Sequence, residues 1–409
     1  MRILLLNTDP DPPADARRTR SARMRGVAAG LLRAGHLVDG ALAARADHAE
    51  FAPLQSRGLT LHALPRRAGR DVCDRLMGAC RPDLVIEHLA PLAPHAAEAA
   101  AHLGVLHLYE IEARLQAPAI SGRARDGAEE METCLRRGFC ASRGAVVPSP
   151  EVAEWVRLHA PREFELQQLP SWSGADSPEP PSAAHREWAR ALIGARTGEF
   201  LVGFCGSFKP WNDLETLVAA MSRLRPAVPS RLVLSGDGPA RNALLALTHR
   251  HKVMTVFSGA VARDEARALM AACDVLAIPY ARSGTDFSPL KLVEALNTGR
   301  PIVATECGST RRVLVEGTTG ILVPAADAVA MAEAFERLAT QPALRERLSA
   351  AARGRAVEHY SWDVAAERLL AFAARHPGGL GGAHGVGHLR RWAALRGARR
   401  IPPPAQPAR

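Results

Sequence analysis

The stretch FSPLKLVEALNTGRPIVAT, residues 287–305, reads as a helix, a stop and a strand in direct succession. Ser288 and Pro289 form a start signal, because a serine oxygen caps free N–H groups and proline at the first helical position has no N–H to lose. Leu290, Leu292, Val293, Ala295 and Leu296 make the body apolar on most sides, as in a helix packed on a sheet. Gly299 supplies the stop, Pro301 blocks continuation, and PIVAT restarts as a short buried strand. A helix feeding a strand of this kind is half of a βαβ crossover.

The rest of the chain repeats that alternation. At 409 residues it exceeds the size of one ordinary core, so two domains are expected. The first half carries the apolar runs RILLLN, HLVDGAL, LTLHALP, DLVIEHL, VLHLYEI and GAVVPS, separated by Ala/Arg-rich helical segments. The second half carries FLVGFCGS, RLVLSGDG, VMTVFSG, VLAIPY, PIVAT and GILVPA. Between them lies a stretch dense in Pro, Ser and Gly, which reads as a linker over 171–186. The expected architecture is α/β: two doubly wound, Rossmann-like domains, residues 1–170 and 187–360, facing each other across a cleft. Ligands of such sheets bind at the carboxyl ends of the strands.

Charge and cysteine content narrow the classes of function. The formal net charge is +10, but six arginines and no acid lie beyond residue 376, which leaves +4 for the remainder. That end, 377–409, is rich in Gly and Pro and reads as a basic, disordered tail. Only three tyrosines, and no basic stripe interleaved with aromatics, argue against a nucleic-acid partner. The arginines from Arg17 to Arg25 read either as a solvated helix face or as a patch for anionic lipid. Seven cysteines lack metal-ligand spacing and read as reduced, mostly buried thiols, and no metal is expected. No apolar run is long enough to span a membrane, and the run at the N-terminus is too short for a signal peptide. The expectation is a cytoplasmic protein, or one held peripherally at the inner membrane surface.

Lys291 and Glu294 are the two charges on the helix that opened this reading. They lie three residues apart near its start, on one face. A helix N-terminus with a lysine beside it suits a phosphate, and a carboxylate one turn on suits a pair of sugar hydroxyls. A solvated Lys–Glu surface pair is the competing reading.

These residues carry a family resemblance. GFCGSFKPWNDLETLVAAM, LVLSGDGPARNALL, VFSGAVARDEARALMAACDVLAIPY, GTDFSPLKLVEALNTGRPIVAT, GSTRRVLVEGTTGILVPAADAVAMAEAF and HYSWDVAAERLL follow one another in order between Gly203 and the helix after Trp362. In this order they resemble the family-4 retaining glycosyltransferases of GT-B fold, in a branch concerned with polysaccharides and capsules. The resemblance implies a cytoplasmic-side enzyme that uses a nucleoside-diphosphate sugar, UDP- or GDP-linked, with no other cofactor. The acceptor it implies is a saccharide or a lipid-linked or small-molecule hydroxyl. It places Asp286 against the transferred sugar and Glu112, with Glu110 nearby, on the acceptor side. Glu294 would hold the ribose. Lys291, the N–H groups of Leu290 and Lys291, Ser288, Lys209, Gly206 and Ser207 would take the diphosphate, and the base would rest near Gly259 and Val261.

Four positions depart from the family pattern, and the loop after strand one, NTDPDPPADARRTRSARMRG, lacks the glycine pair that commonly lets backbone approach the diphosphate. Asp286 stands where glutamate is usual, Glu112 where many relatives have histidine, and Asn212 and Asp213 where a cation and a glycine are common. Lys209 is the candidate replacement for that cation, and Arg20 or Arg23 could contact the diphosphate from the first half. The resemblance also implies that the last helix, about 361–376, crosses back to the first domain. Two rivals stay open: a GT-B protein that binds a nucleotide sugar or a partner enzyme without turnover, and an epimerase or phosphorylase of similar fold.

Overall fold

The computed structural model describes residues 1–8, 14–43, 48–65, 68–90, 92–115, 124–169, 182–224, 229–281 and 290–376. The chain divides into two compact units, Met1–Trp172 with Trp362–Arg409, and Ser173–Ser361.

The first unit alternates strand and helix: β1 (Arg2–Asn7), α1 (Ala14–Arg33), β2 (Leu37–Ala43), α2 (Ala52–Gln55), β3 (Leu59–Leu64), α3 (Arg70–Cys80) and β4 (Leu84–His88). It continues with α4 (His95–Leu103), β5 (Leu106–Glu110), α5 (Ala124–Ala141), β6 (Gly144–Val147), α6 (Pro150–His159) and β7 (Glu165–Gln168). All seven strands are parallel, in the order β3-β2-β1-β4-β5-β6-β7. Helices cover both faces of such a sheet, which is why β4 and β5 are buried along their whole length.

Six of these strands coincide with the apolar runs of the sequence, and β7 does not. Its residues ELQQ are half-buried or exposed at the sheet edge, so no apolar run was needed to form it.

The second unit begins with α7 (Ala183–Leu192), whose Ser182 Oγ accepts from His185 N at 3.2 Å. The linker expected over 171–186 is therefore already helical from Ala183, since a serine cap suffices to start a helix inside a Pro/Ser-rich stretch. Residues 170–181 lie outside the described residues.

There follow β8 (Phe200–Cys205), α8 (Leu214–Met221), β9 (Ser230–Ser235), α9 (Arg241–Arg250), β10 (Thr255–Gly259), α10 (Arg263–Ala272) and β11 (Val275–Ile278). Then come α11 (Leu290–Asn297), β12 (Ile302–Thr305), α12 (Gly308–Val313), β13 (Ile321–Val323), α13 (Ala328–Thr340) and α14 (Pro342–Tyr360). The six strands are parallel in the order β10-β9-β8-β11-β12-β13. Phe204, Phe208, Leu217, Val218, Leu234, Val303 and Phe335 form part of the core of this unit. The stop after α11 is as read from sequence: Gly299 has φ 63, and its N–H bonds the Leu296 carbonyl at 3.0 Å.

Each sheet reverses its strand order once, between β1 and β4 and between β8 and β11. Those crevices, at the carboxyl ends of the strands, are where ligands of doubly wound sheets bind.

The last described helix, α15 (Trp362–Ala373), lies in the first unit and packs on α1. The contact is close because Gly26 and Gly30 lack side chains. A Cβ on Gly26 would fall 2.0 Å from the Trp362 ring, and one on Gly30 would fall 2.3 Å from the Trp362 carbonyl. Arg33 Nε closes the seam on Asp363 Oδ1 at 2.7 Å. Residues 377–409 lie outside the described residues, and no helix among the described ones is long and apolar enough to cross a membrane.

Gly30→Ala forces a side-chain atom into a backbone carbonyl and is expected to destabilise the protein by roughly 1–3 kcal/mol. Gly78→Ala, on the exposed face of α3 with nothing within 4 Å of the new Cβ, is expected to stabilise by about 0.5–1 kcal/mol. Denaturant midpoints of the two variants check this opposition of sign.

Candidate functional site

At the carboxyl ends of β8, β9 and β10, three turns are tied together by their backbones. Gly206 N donates to Ser235 O at 2.9 Å, Phe208 N to Asp237 O at 2.9 Å and Gly236 N to Gly259 O at 2.8 Å. Gly206, Gly236, Gly238 and Gly259 all have positive φ. A Cβ on Gly236 would lie 2.0 Å from the Gly206 carbonyl, so the GDGP turn needs glycine for close approach as well as for conformation.

Lys291, in the first turn of α11, lies over this platform. A Cβ on Gly206 would come 2.6 Å from Lys291 Cε and 2.9 Å from Nζ. The ammonium donates to Asn212 Oδ1 at 2.8 Å, and Asn212 Nδ2 donates to the Ser207 carbonyl at 2.7 Å. Nζ also stands 5.1 Å from the centre of the Phe204 ring, within cation–π range. Lys291 and Glu294 are half-buried, so the reading of a solvated surface pair is wrong. Burial pulls the Lys291 pKa down to about 8, against the opposing pull of Cys205 and Glu294.

Asn212 is the residue that the sequence reading undervalued. It was noted only as the place where a cation was missing, yet it is 3 % exposed and holds the one ammonium that α11 brings in. Its neighbour Asp213 is the N-cap of α8, accepting from Thr216 N at 3.2 Å. No local pattern signals a partnership across 79 residues.

Lys209 lies on the same loop, its Nζ 5.0 Å from the centre of the half-exposed Trp211 ring. Ser207, Leu290 and Val261 are half-buried around the same strand ends. Asp286 and Ser288 lie outside the described residues, so the structure gives no account of either.

In the first unit, Arg23 of α1 reaches the end of β5. Its Nε donates to Glu110 Oε1 at 2.6 Å and its Nη1 lies 3.2 Å from Glu112 Oε1. Burial opposes the Arg23 charge, but the two carboxylates outweigh it and hold the guanidinium pKa above its usual value. Two expectations for this helix are thereby corrected at Arg23 and Arg25, while the side chains of Arg17, Arg18 and Arg20 lie outside the described ones. Arg23 is 6 % exposed and committed to two acids, and Arg25 is paired with Glu50, so neither belongs to a solvated or lipid-facing patch. Arg23 is likewise not free to grip a diphosphate.

Next to it, Glu87 on β4 is fully buried, accepting from Thr8 Oγ1 at 2.7 Å and bonded to His107 Nε2 at 3.1 Å.

The cysteines are free thiols, and three of the seven, Cys73, Cys80 and Cys273, are buried, fewer than the sequence suggested. Asp39, His62 and Cys80 bring ligand-type atoms within 4.8 Å of one another, a grouping invisible in the spacing. Arg2 Nε already stands 2.8 Å from Asp39, and burial pushes the Cys80 thiol up to about 11, so the donor set suits an ion pair better than a metal.

The fold matches solved structures of GT-B glycosyltransferases, among them HepE of Anabaena in complex with UDP, with a TM-score of 0.63. That likeness covers 92% of this chain and 100% of the other at 18% identity, and defines fold alone.

Residues 199–341, from β8 through α13, match the family described as Glycosyl transferases group 1. Among curated proteins, the chain is similar to glycogen synthase of Mycobacterium tuberculosis, 27% identical over 184 residues, 44% of this chain and 43% of the relative. It is also similar to D-inositol 3-phosphate glycosyltransferase of Rhodococcus erythropolis, 30% identical over 240 residues, 54% of this chain and 53% of the relative. The chain thus spans about half the length of these curated relatives.

Because the unfolded state keeps Lys291 protonated up to about pH 10.4 while the folded one releases its proton near 8, folding sheds a proton in that window. Stability should therefore rise with pH between those values, and a Lys291→Met variant should lack that rise. Unfolding curves at pH 7, 9 and 10 compare the two. Asn212→Ala leaves the ammonium without its acceptor and is expected to cost about 1–3 kcal/mol at pH 7.

Proposed function

We propose that the protein transfers a glycosyl group from a nucleoside-diphosphate sugar to a hydroxyl acceptor with retention at the anomeric carbon and without a metal. The observation that carries this reading is the Lys291 ammonium, half-buried over Gly206 at the crevice where the second sheet reverses its order. A diphosphate brought there would meet a cation whose charge is weakly screened, together with the first N–H groups of α11.

Lys291 and Lys209 would stabilise the charge that grows on the diphosphate as its bond to the sugar breaks. The acceptor oxygen would attack the anomeric carbon from the face the diphosphate leaves, and its proton would pass to a diphosphate oxygen. Glu294 would hold the ribose hydroxyls, and Asp286 would face the sugar. Glu112, held in place by Arg23, would orient the acceptor hydroxyl by accepting its hydrogen bond.

A UDP-sugar is the favoured donor, since the solved HepE structure holds UDP. The acceptor remains a class, because relatives named for glycogen and for inositol phosphate share only a hydroxyl.

Calorimetry with UDP and GDP tests the donor site. Lys291→Ala and Glu294→Ala are each expected to weaken UDP binding at least ten-fold, about 1.4 kcal/mol or more. Unchanged affinity in both variants would remove the assignment.

The bound anion favours the charged lysine, so UDP binding above about pH 8 should take up a proton and weaken as pH rises. Titration in buffers of different ionisation enthalpy reads that proton directly. Tight UDP-sugar binding, with no transfer to any acceptor and no hydrolysis, would favour the non-catalytic rival.

A further inference from the structure

The second unit has another cationic cavity, at the opposite end of its strands. It lies beside the amino ends of β11 and β12, between α7, the turn after α11, and α14, with a volume of about 460 Å³. That is within the size range of small-ligand sites. Arg186 of α7, Arg300 of the turn, and Arg345 and Arg353 of α14 line it, with only Asp274 and Glu346 as acids.

The acids do not neutralise this cluster. Asp274 already accepts from Arg186 Nη2 at 3.0 Å, from Arg190 Nη1 at 3.2 Å and from Leu201 N at 2.9 Å. Glu346 is exposed on the rim. Meanwhile Arg186 Nε, Arg300 Nε and Arg353 Nη2 are buried donors with no hydrogen-bond partner among the described residues. Buried donors of this kind normally have partners, and three on guanidinium groups around one cavity ask for an acceptor with several oxygens. Burial, and next the Arg186 charge, pull the Arg300 pKa down to about 10, as expected for a guanidinium facing like charge. Arg353 is shifted downward too, by burial and by Arg267.

We infer that this cavity is a second anion site, which takes the phosphoryl or pyrophosphoryl group of a soluble small molecule. Guanidinium forks match the oxygens of such a group in geometry and charge. The site is separate from the Gly206–Lys291 crevice, because β11 and β12 run from one to the other.

The test is calorimetric titration of pyrophosphate, at fixed ionic strength, into wild type, Lys291→Ala, Arg300→Gln and Arg186→Gln. Lys291→Ala is expected to retain one site per chain. Arg300→Gln and Arg186→Gln are expected to bind at least ten-fold more weakly. The unliganded Arg300→Gln protein should melt no lower than wild type, because Arg300 Nε has no hydrogen bond to lose. If that variant does not fold, Arg186→Gln decides alone, since Asp274 keeps Arg190 and Leu201.

Affinity within two-fold of wild type in both arginine variants overturns the inference, as does loss of all pyrophosphate binding in Lys291→Ala. Vesicles containing phosphatidic acid separate a lipid headgroup from a soluble ligand. Arginine-dependent pelleting without pyrophosphate binding would overturn the soluble assignment. The donor-site reading fails by a different result, UDP binding unaffected by both Lys291→Ala and Glu294→Ala.

Discussion

An ammonium kept partly out of water needs an acceptor close at hand, and much of the second unit is arranged around that need at Lys291. Asn212 supplies the acceptor, Ser207 fixes Asn212 through its carbonyl, and Gly206 leaves the space through which the lysine chain passes. The glycines after β9 and β10 follow from the same demand, since the three turns must stack closely enough to form one floor. A neutral amide as partner has a consequence that a carboxylate would not. It satisfies hydrogen bonding without cancelling charge, so the field of the lysine remains available to an incoming anion.

The first unit meets the same physical problem in the opposite way. Arg23 is buried between Glu110 and Glu112, so its charge is used up inside the protein and one carboxylate is in excess. Such a triad is a specification device more than a source of stability, because desolvation offsets most of the attraction. It fixes the direction of the Glu112 carboxylate at the end of β5. The arginine-lined cavity beside β11 and β12 is the third variant: cations gathered with too few acids and with donors left over.

Twelve strands were legible because each is an apolar run, and the seventh strand of the first sheet was not, because an edge strand of polar residues carries no such run. The start and stop of α11 were legible because capping chemistry is local, as the φ of Gly299 illustrates. Composition averages over a window, whereas a helix begins at one residue, and α7 begins after Ser182 inside the stretch read as linker.

Sequence by itself determined the alternation of strand and helix, the two units, and the presence of a lysine and a glutamate at the head of one helix. These are set by periodicity and by neighbours a few residues away, where the chain's own geometry decides the outcome. Only the tertiary structure decided which charges are spent and which are kept. Arg23 looked like a free surface cation and is locked between two acids, while Asn212 looked like a loss and proves to hold the Lys291 ammonium. Those outcomes depend on contacts between residues about 80 positions apart, and on burial, which changes the strength of each charge and is a property of the packed protein alone.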